Sequence, residues 1–181
     1  VDDFSDILVH DCIVSSSNRG ISIQIRDAGS VSNVHFSNIL IQTRLFSSDY
    51  WGKAEAIAVT SFNRDDGTVS GNIQNIRFSN IRCEGEGGVL VASDGDKVRD
   101  ISFDHVRVKL KKTSKWPLEG YDFRPRQHEP FLKRNVSAFF LSSVKAIQFS
   151  SVEAQVEDYR GFGSCLETEN ATYTGEVCDA P

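Results

Sequence analysis

One phrase recurs five times along this chain, and a repeat constrains a fold more tightly than composition can. The copies are Ile7-x-Val9 closing on Asp11-Cys12, Val34-His-Phe36-Ser-Asn38-Ile39, Ile76-Arg-Phe78-Ser-Asn80-Ile81, Ile101-Ser-Phe103-Asp-His105-Val106 and Ile147-Gln-Phe149-Ser-Ser151-Val152. Apolar and polar residues alternate within each copy, which is the period of a strand. Further strand-like runs lie between them: Gly20-Ile-Ser-Ile-Gln-Ile25, Ala56-Ile-Ala-Val59, Gly88-Val-Leu-Val91 and Ala138-Phe-Phe-Leu141. Short strands repeated roughly every 25 residues predict an all-β chain wound as a right-handed parallel β-helix, with about five to six coils and long loop insertions. We expect one domain over residues 1–181, with residues 157–181 as a C-terminal capping tail.

Aligning the copies places Ile7, Val34, Ile76, Ile101 and Ile147 in one inward stack. Asp11, Asn38, Asn80, His105 and Ser151 fall at the following bend. Asn and Asp suit that place because they tolerate left-handed backbone geometry and bond to neighbouring backbone, so a structural ladder is expected and His105 is read as a member of it. Cys12 aligns with Ile39, and Cys83 with Ile41, so both are expected as free, buried core residues. They lie two coils apart, about 10 Å at the usual strand spacing, which is too far for a disulfide.

Two intervals between copies are much longer than one coil, and the excess must leave the solenoid as loops, Thr43 to Glu55 and Lys111 to Asn135. The first carries Tyr50, Trp51 and Lys53, a mixture that suits stacking on sugar rings and pairing with carboxylates. The second carries Lys111, Lys112, Lys115, Arg124, Arg126 and His128, a basic stretch in a chain whose net charge is −5. That reversal suggests either an anionic partner such as an acidic polysaccharide or a solvated loop packing its aromatics on the solenoid wall. Alternation sends Ser22, Gln24 and Arg26 to the outer face of their strand. The candidate substrate-binding residues are therefore Gln24, Arg26, Tyr50, Trp51, Lys53, Arg124 and Arg126.

The acidic balance argues against a nucleic-acid partner, and no apolar run approaches a membrane span. No cofactor or metal is expected, because Asp94-Gly-Asp96 is the one acidic cluster with any likeness to a calcium site. Cys165 and Cys178 bracket a polar tail that a disulfide would pin. Sequons at Asn135 and Asn170 point, with that pair, to a secreted glycoprotein. The chain lacks methionine and opens at Val1 directly before a strand, so a processed or truncated product is expected, its first coil covered by missing N-terminal coils or by another copy.

The phrases Val31-Ser-Asn-Val-His-Phe-Ser-Asn-Ile39 and Asn75-Ile-Arg-Phe-Ser-Asn-Ile81, with Asn18-Arg-Gly-Ile-Ser-Ile-Gln-Ile-Arg26 before them, resemble the C-terminal half of glycoside hydrolase family 28 over Val1 to Leu110. This is the polygalacturonase and rhamnogalacturonase family, and the resemblance implies its pectin-lyase-like right-handed parallel β-helix. It also implies a secreted, inverting hydrolase acting on acidic, pectin-type polysaccharide. That family carries Asn-Thr-Asp, paired-Asp, His-Gly and Arg-Ile-Lys motifs. Here Asn-Thr-Asp and His-Gly are absent, the pairs Asp2-Asp3 and Asp65-Asp66 lack the family's context, and Ser22 and Gln24 stand where its arginine and lysine belong. The catalytic aspartates are accordingly expected in missing coils, and this chain alone is expected to be inactive. The alternatives are a non-catalytic β-helix that binds glycans or self-assembles, and a lyase or epimerase on the same solenoid.

Overall fold

A computed structural model describes residues 2–179, with side chains for residues 2–177. It contains strands and, among the described residues, no helix. In chain order they are β1 (Phe4–Ser17), β2 (Ile21–Ile25), β3 (Val31–Thr43), β4 (Ile57–Ser61), β5 (Ile73–Gly85), β6 (Val89–Ser93), β7 (Val98–Leu110), β8 (Tyr121–Asp122), β9 (Phe131–Leu132), β10 (Phe139–Ser150), β11 (Val152–Val156), β12 (Leu166–Thr174) and β13 (Val177–Asp179). Eleven of them form one curled sheet, paired in parallel throughout, while β8 and β9 make a separate antiparallel pair. β1, β3, β5 and β7 lie on one another in sequence, as do β2, β4 and β6. The first half of β10 then lies on β6 and its second half on β7. Such stacking is consistent with a β-helical solenoid.

The register matches the repeat: Ile7, Val34, Ile76, Ile101 and Ile147 are direct partners from strand to strand. Two residues further on, Phe36, Phe78, Phe103 and Phe149 form a parallel-displaced column with centroids 5.2, 5.1 and 5.6 Å apart. The column is a direct product of period-2 alternation, because identical positions one coil apart are held at the strand spacing. Small residues turn the corner into β2, β4, β6 and β10, where Gly20, Ala56, Gly88 and Ala138 line up. A Cβ on Gly20 would lie 2.2 Å from the Ala56 carbonyl oxygen.

The bend after each phrase is left-handed, with φ of 56° at Asp11, 55° at Asn38, 52° at Asn80, 52° at His105 and 53° at Ser151. Asn38 donates from Nδ2 to Asp11 Oδ1 at 3.0 Å, and Asn80 donates to Asn38 at 2.8 Å. A second ladder runs five residues earlier, through Asp6, Asn33, Asn75, Asp100 and Ala146, all with φ between 53° and 58°. The sequence carried its signal in the paired spacing of Asn33 with Asn38 and Asn75 with Asn80.

The first coil departs from the expected burial. Ile7 holds its register but is 39 % exposed, and Cys12 is only half-buried. β1 ends the strand order, so neither residue has a coil on its far side among the described residues. Cys83, flanked by strands on both sides, is buried and its thiol is pushed up to about 12 by loss of water. In the tail, β12 continues the stack on β10 and β13 on β11. The Cys178 side chain lies outside the described residues, and the Cys165–Cys178 pairing with it.

Candidate functional site

Residues pointing out of β2, β4, β6 and β10 form rows across the coils: Ser22, Ala58, Leu90 and Phe140 in one, Gln24, Thr60, Ala92 and Ser142 in the next. A bare solenoid would leave this wall wet. Here β4 and β6 are buried on both faces, because the Lys111–Asn135 loop lies across it. The Tyr121 ring stacks on Phe140 at 4.7 Å, and its hydroxyl accepts the Ser137 N–H at 3.0 Å. Burial pushes that phenol above its ordinary pKa. Phe123 packs on Phe62 with centroids 4.7 Å apart. Val89-Leu90-Val91-Ala92 and Phe139-Phe140-Leu141 carried the signal, since unbroken apolar runs mark strands covered on both faces.

A buried carboxylate joins the two loops. Glu86, fully sealed from water, accepts the Leu45 N–H at 2.8 Å from the first loop. From the second it takes the Thr113 N–H at 2.7 Å, the Ser114 N–H, and the Lys112 ammonium at 2.9 Å. Burial alone would raise its pKa, but these donors outweigh burial and hold the carboxyl at about 2. Asp122 makes a second junction, accepting the Gly52 N–H at 2.7 Å while gripping Arg124 through both oxygens. Arg124 reaches on to the Tyr50 carbonyl at 2.8 Å and lies over the Trp51 ring at 5.5 Å.

Tyr50, Trp51, Lys53 and Arg124 are thus brought together at one rim. Tyr50 and Trp51 are 58 % and 56 % exposed. Lys53 is buried, donating to Glu119 and to the Ser48 carbonyl, each at 2.9 Å. Arg26 points outward from its strand but lies beneath the second loop, with Nη1 on the Ile25 and Thr60 carbonyls and Nη2 on the Phe123 carbonyl at 3.1 Å. Burial, with Arg19 and Arg126 nearby, lowers its pKa to about 10. Gln24 is half-buried beside it. Arg126 stands apart from the rim, donating to Asp94 at 3.1 Å and lying over Phe62 at 4.6 Å.

Most of the basic loop's charge is met by carboxylates, Asp122 within the loop and the others from elsewhere in the chain. Lys112 pairs with Glu86, Arg124 with Asp122, Arg126 with Asp94, and Arg134 with Glu167 and Glu169. Asp94 and Asp96 are themselves engaged, the latter by Lys145 at 2.6 Å. Among the described residues no group of three His, Cys, Asp or Glu side chains could hold a metal ion. Both sequon asparagines, Asn135 and Asn170, are exposed.

Away from the loops, a groove of about 710 Å³ runs over the outer face of β1, β3, β5, β7 and β11. Ile13 and Leu40 lie at its first-coil end, with Arg82, Arg107 and Glu153 beyond. Arg107 and Glu153 neutralise each other at 2.9 Å. No family model, curated protein or solved structure matches this chain.

Proposed function

We propose that this chain is the C-terminal part of a secreted, polygalacturonase-like glycoside hydrolase built on a right-handed parallel β-helix, and that it supplies walls of a cleft for pectin-type polysaccharide. The observation carrying this reading is the rim itself. Two exposed aromatic rings, Tyr50 and Trp51, stand beside Arg124 and Lys53 on loops that buried carboxylates clamp together. Flat rings offer sugars a stacking surface at low entropic cost, and neighbouring charged groups orient their hydroxyls and carboxylates. Right-handed coiling follows the general preference of parallel crossovers. Acid and base would come from coils preceding these, since Asn-Thr-Asp does not occur in this sequence and its two Asp pairs lack the family's context. Secretion, glycosylation at Asn135 and Asn170, and a Cys165–Cys178 bond belong to the same reading.

Calorimetric titration with oligogalacturonate tests it. Trp51→Ala should weaken binding about tenfold, the loss of roughly one good stacking contact. An unchanged affinity would remove the rim from the site. The chain alone should release no reducing sugar from polygalacturonate, and release well above background would overturn the assignment of catalysis to other coils. A second reading, a non-catalytic β-helix that binds glycans or stacks with further coils or copies, is favoured by the uncovered edge of β1, where Phe4 and Leu8 are exposed.

A further inference from the structure

The geometry points to a site for a neutral sugar residue in the cavity between the two loops, with the Phe131 ring as its platform. This deepens the glycan-binding reading and rests on it. The cavity is about 470 Å³, room for one or two sugar rings, and it exists only because Ser48, Asp49 and Lys53 of one loop face Glu119 and Phe131 of the other. Phe131, held in the short β8–β9 pair opposite Asp122, leaves 43 % of its surface open. The Arg124 guanidinium and the Lys53 ammonium lie over the ring, 4.7 and 5.8 Å from its centroid, and the part of the ring that they leave open suits the C–H face of a pyranose.

Charge selects the class of sugar. Lys53 is committed to Glu119 at 2.9 Å, and Arg124, which also lines the cavity, is committed to Asp122 at 2.7 Å. Counting Lys133 as well, three cations stand against the carboxylates of Asp49, Glu119 and Asp122, so the site as a whole is balanced. A uronate carboxylate seeking Lys53 or Arg124 must compete with carboxylates already in place. A neutral ring needs no such displacement: its hydroxyls donate to Asp49 or Glu119 and accept from Lys53. Lys53 and Glu119 then gain hydrogen bonds without giving up their pairing with each other.

Galactose and galacturonate, which differ only in oxidation at one carbon, are the probes, titrated at millimolar concentrations and followed by amide chemical shifts. Galactose should bind at least as tightly as galacturonate, with little dependence on salt. Phe131→Ala should weaken galactose about fivefold or more, and Glu119→Gln should weaken it as well. Lys133→Ala should leave galactose within about twofold. A dispersed amide spectrum confirms that each variant is folded, and Glu119→Gln keeps the test alive if Phe131→Ala is not.

Galacturonate binding much more tightly and losing its advantage in Lys133→Ala would overturn the proposal in favour of an acidic-sugar site. So would failure of galactose to bind, or galactose binding untouched in folded Phe131→Ala. Failure here is separable from failure of the rim, because the rim is read by oligogalacturonate and Trp51→Ala.

Discussion

The Glu86 carboxylate holds the Lys112 ammonium at 2.9 Å with both side chains withdrawn from water, 0 % and 8 % exposed. Lys112 opens the second loop, and the same carboxylate takes the Leu45 amide from the first. One side chain just beyond β5 thus ties together the points where both loops leave the solenoid. Removing one partner of a buried pair strands the other, so Glu86→Ala should cost about 3–5 kcal/mol. Urea unfolding followed by far-ultraviolet circular dichroism measures it, and a change under ~1 kcal/mol would mean that the loops are held elsewhere.

Acid should find the same weak point. The folded-state pKa of Glu86 is about 2 against an ordinary 4.5, so between those values the unfolded chain binds the proton and the folded chain does not. Its stabilisation is fully present above about pH 4.5 and is lost as pH falls through about 2. Stability measured from pH 6 down to ~2 should therefore decline more gently in Glu86→Gln than in the wild type. Parallel acid limbs would sink this account.

At Asn38 the backbone and side chain make separable demands. The residue sits at φ 55°, donates to Asp11 and accepts from Asn80. Asn38→Ala loses both hydrogen bonds and places a Cβ-bearing residue without local compensation in the left-handed region, together about 1–3 kcal/mol. Asn38→Gly loses the bonds alone and should recover about 1 kcal/mol of that cost. Equal stabilities for the two variants would show that the bend is unstrained.

The cysteines should differ in reactivity. Native chain at about pH 8 should label at Cys12, which is half-buried with its Sγ 3.2 Å from the His10 carbonyl, and spare Cys83, whose buried thiol ionises only near 12. Unfolding without reductant should then yield two reactive thiols in all if Cys165 and Cys178 are bonded as we propose. Rapid native labelling of Cys83 would contradict the packing around it.

How much of this was legible in the sequence can be argued position by position. The Ile7-to-Ile147 stack and the Asp11-to-Ser151 bend could be written down from alignment of the copies, because a residue's partner one coil away is fixed once the period is known. The Asp6-to-Ala146 bend was written more faintly, in the five-residue spacing of Asn33 and Asn38, because its last member, Ala146, has no polar side chain to mark the left-handed position. The loops were visible only as excess length. Their aromatic and basic residues could be named, but not which faced water and which faced the wall.

The sequence by itself determined the strand period, the parallel register, the polar bends and the identity of the inward columns, all of which are local or recur once in every coil. Tertiary structure alone decided that Arg26 lies beneath the Phe123 carbonyl, that Glu86 unites Leu45 with Lys112, and that much of the basic loop's charge is met by Glu86, Asp94, Glu167 and Glu169. The physical reason is that an insertion has no period. Its resting place is set by which buried donors and carboxylates across the coils it can satisfy, and those partners lie far from it in the chain.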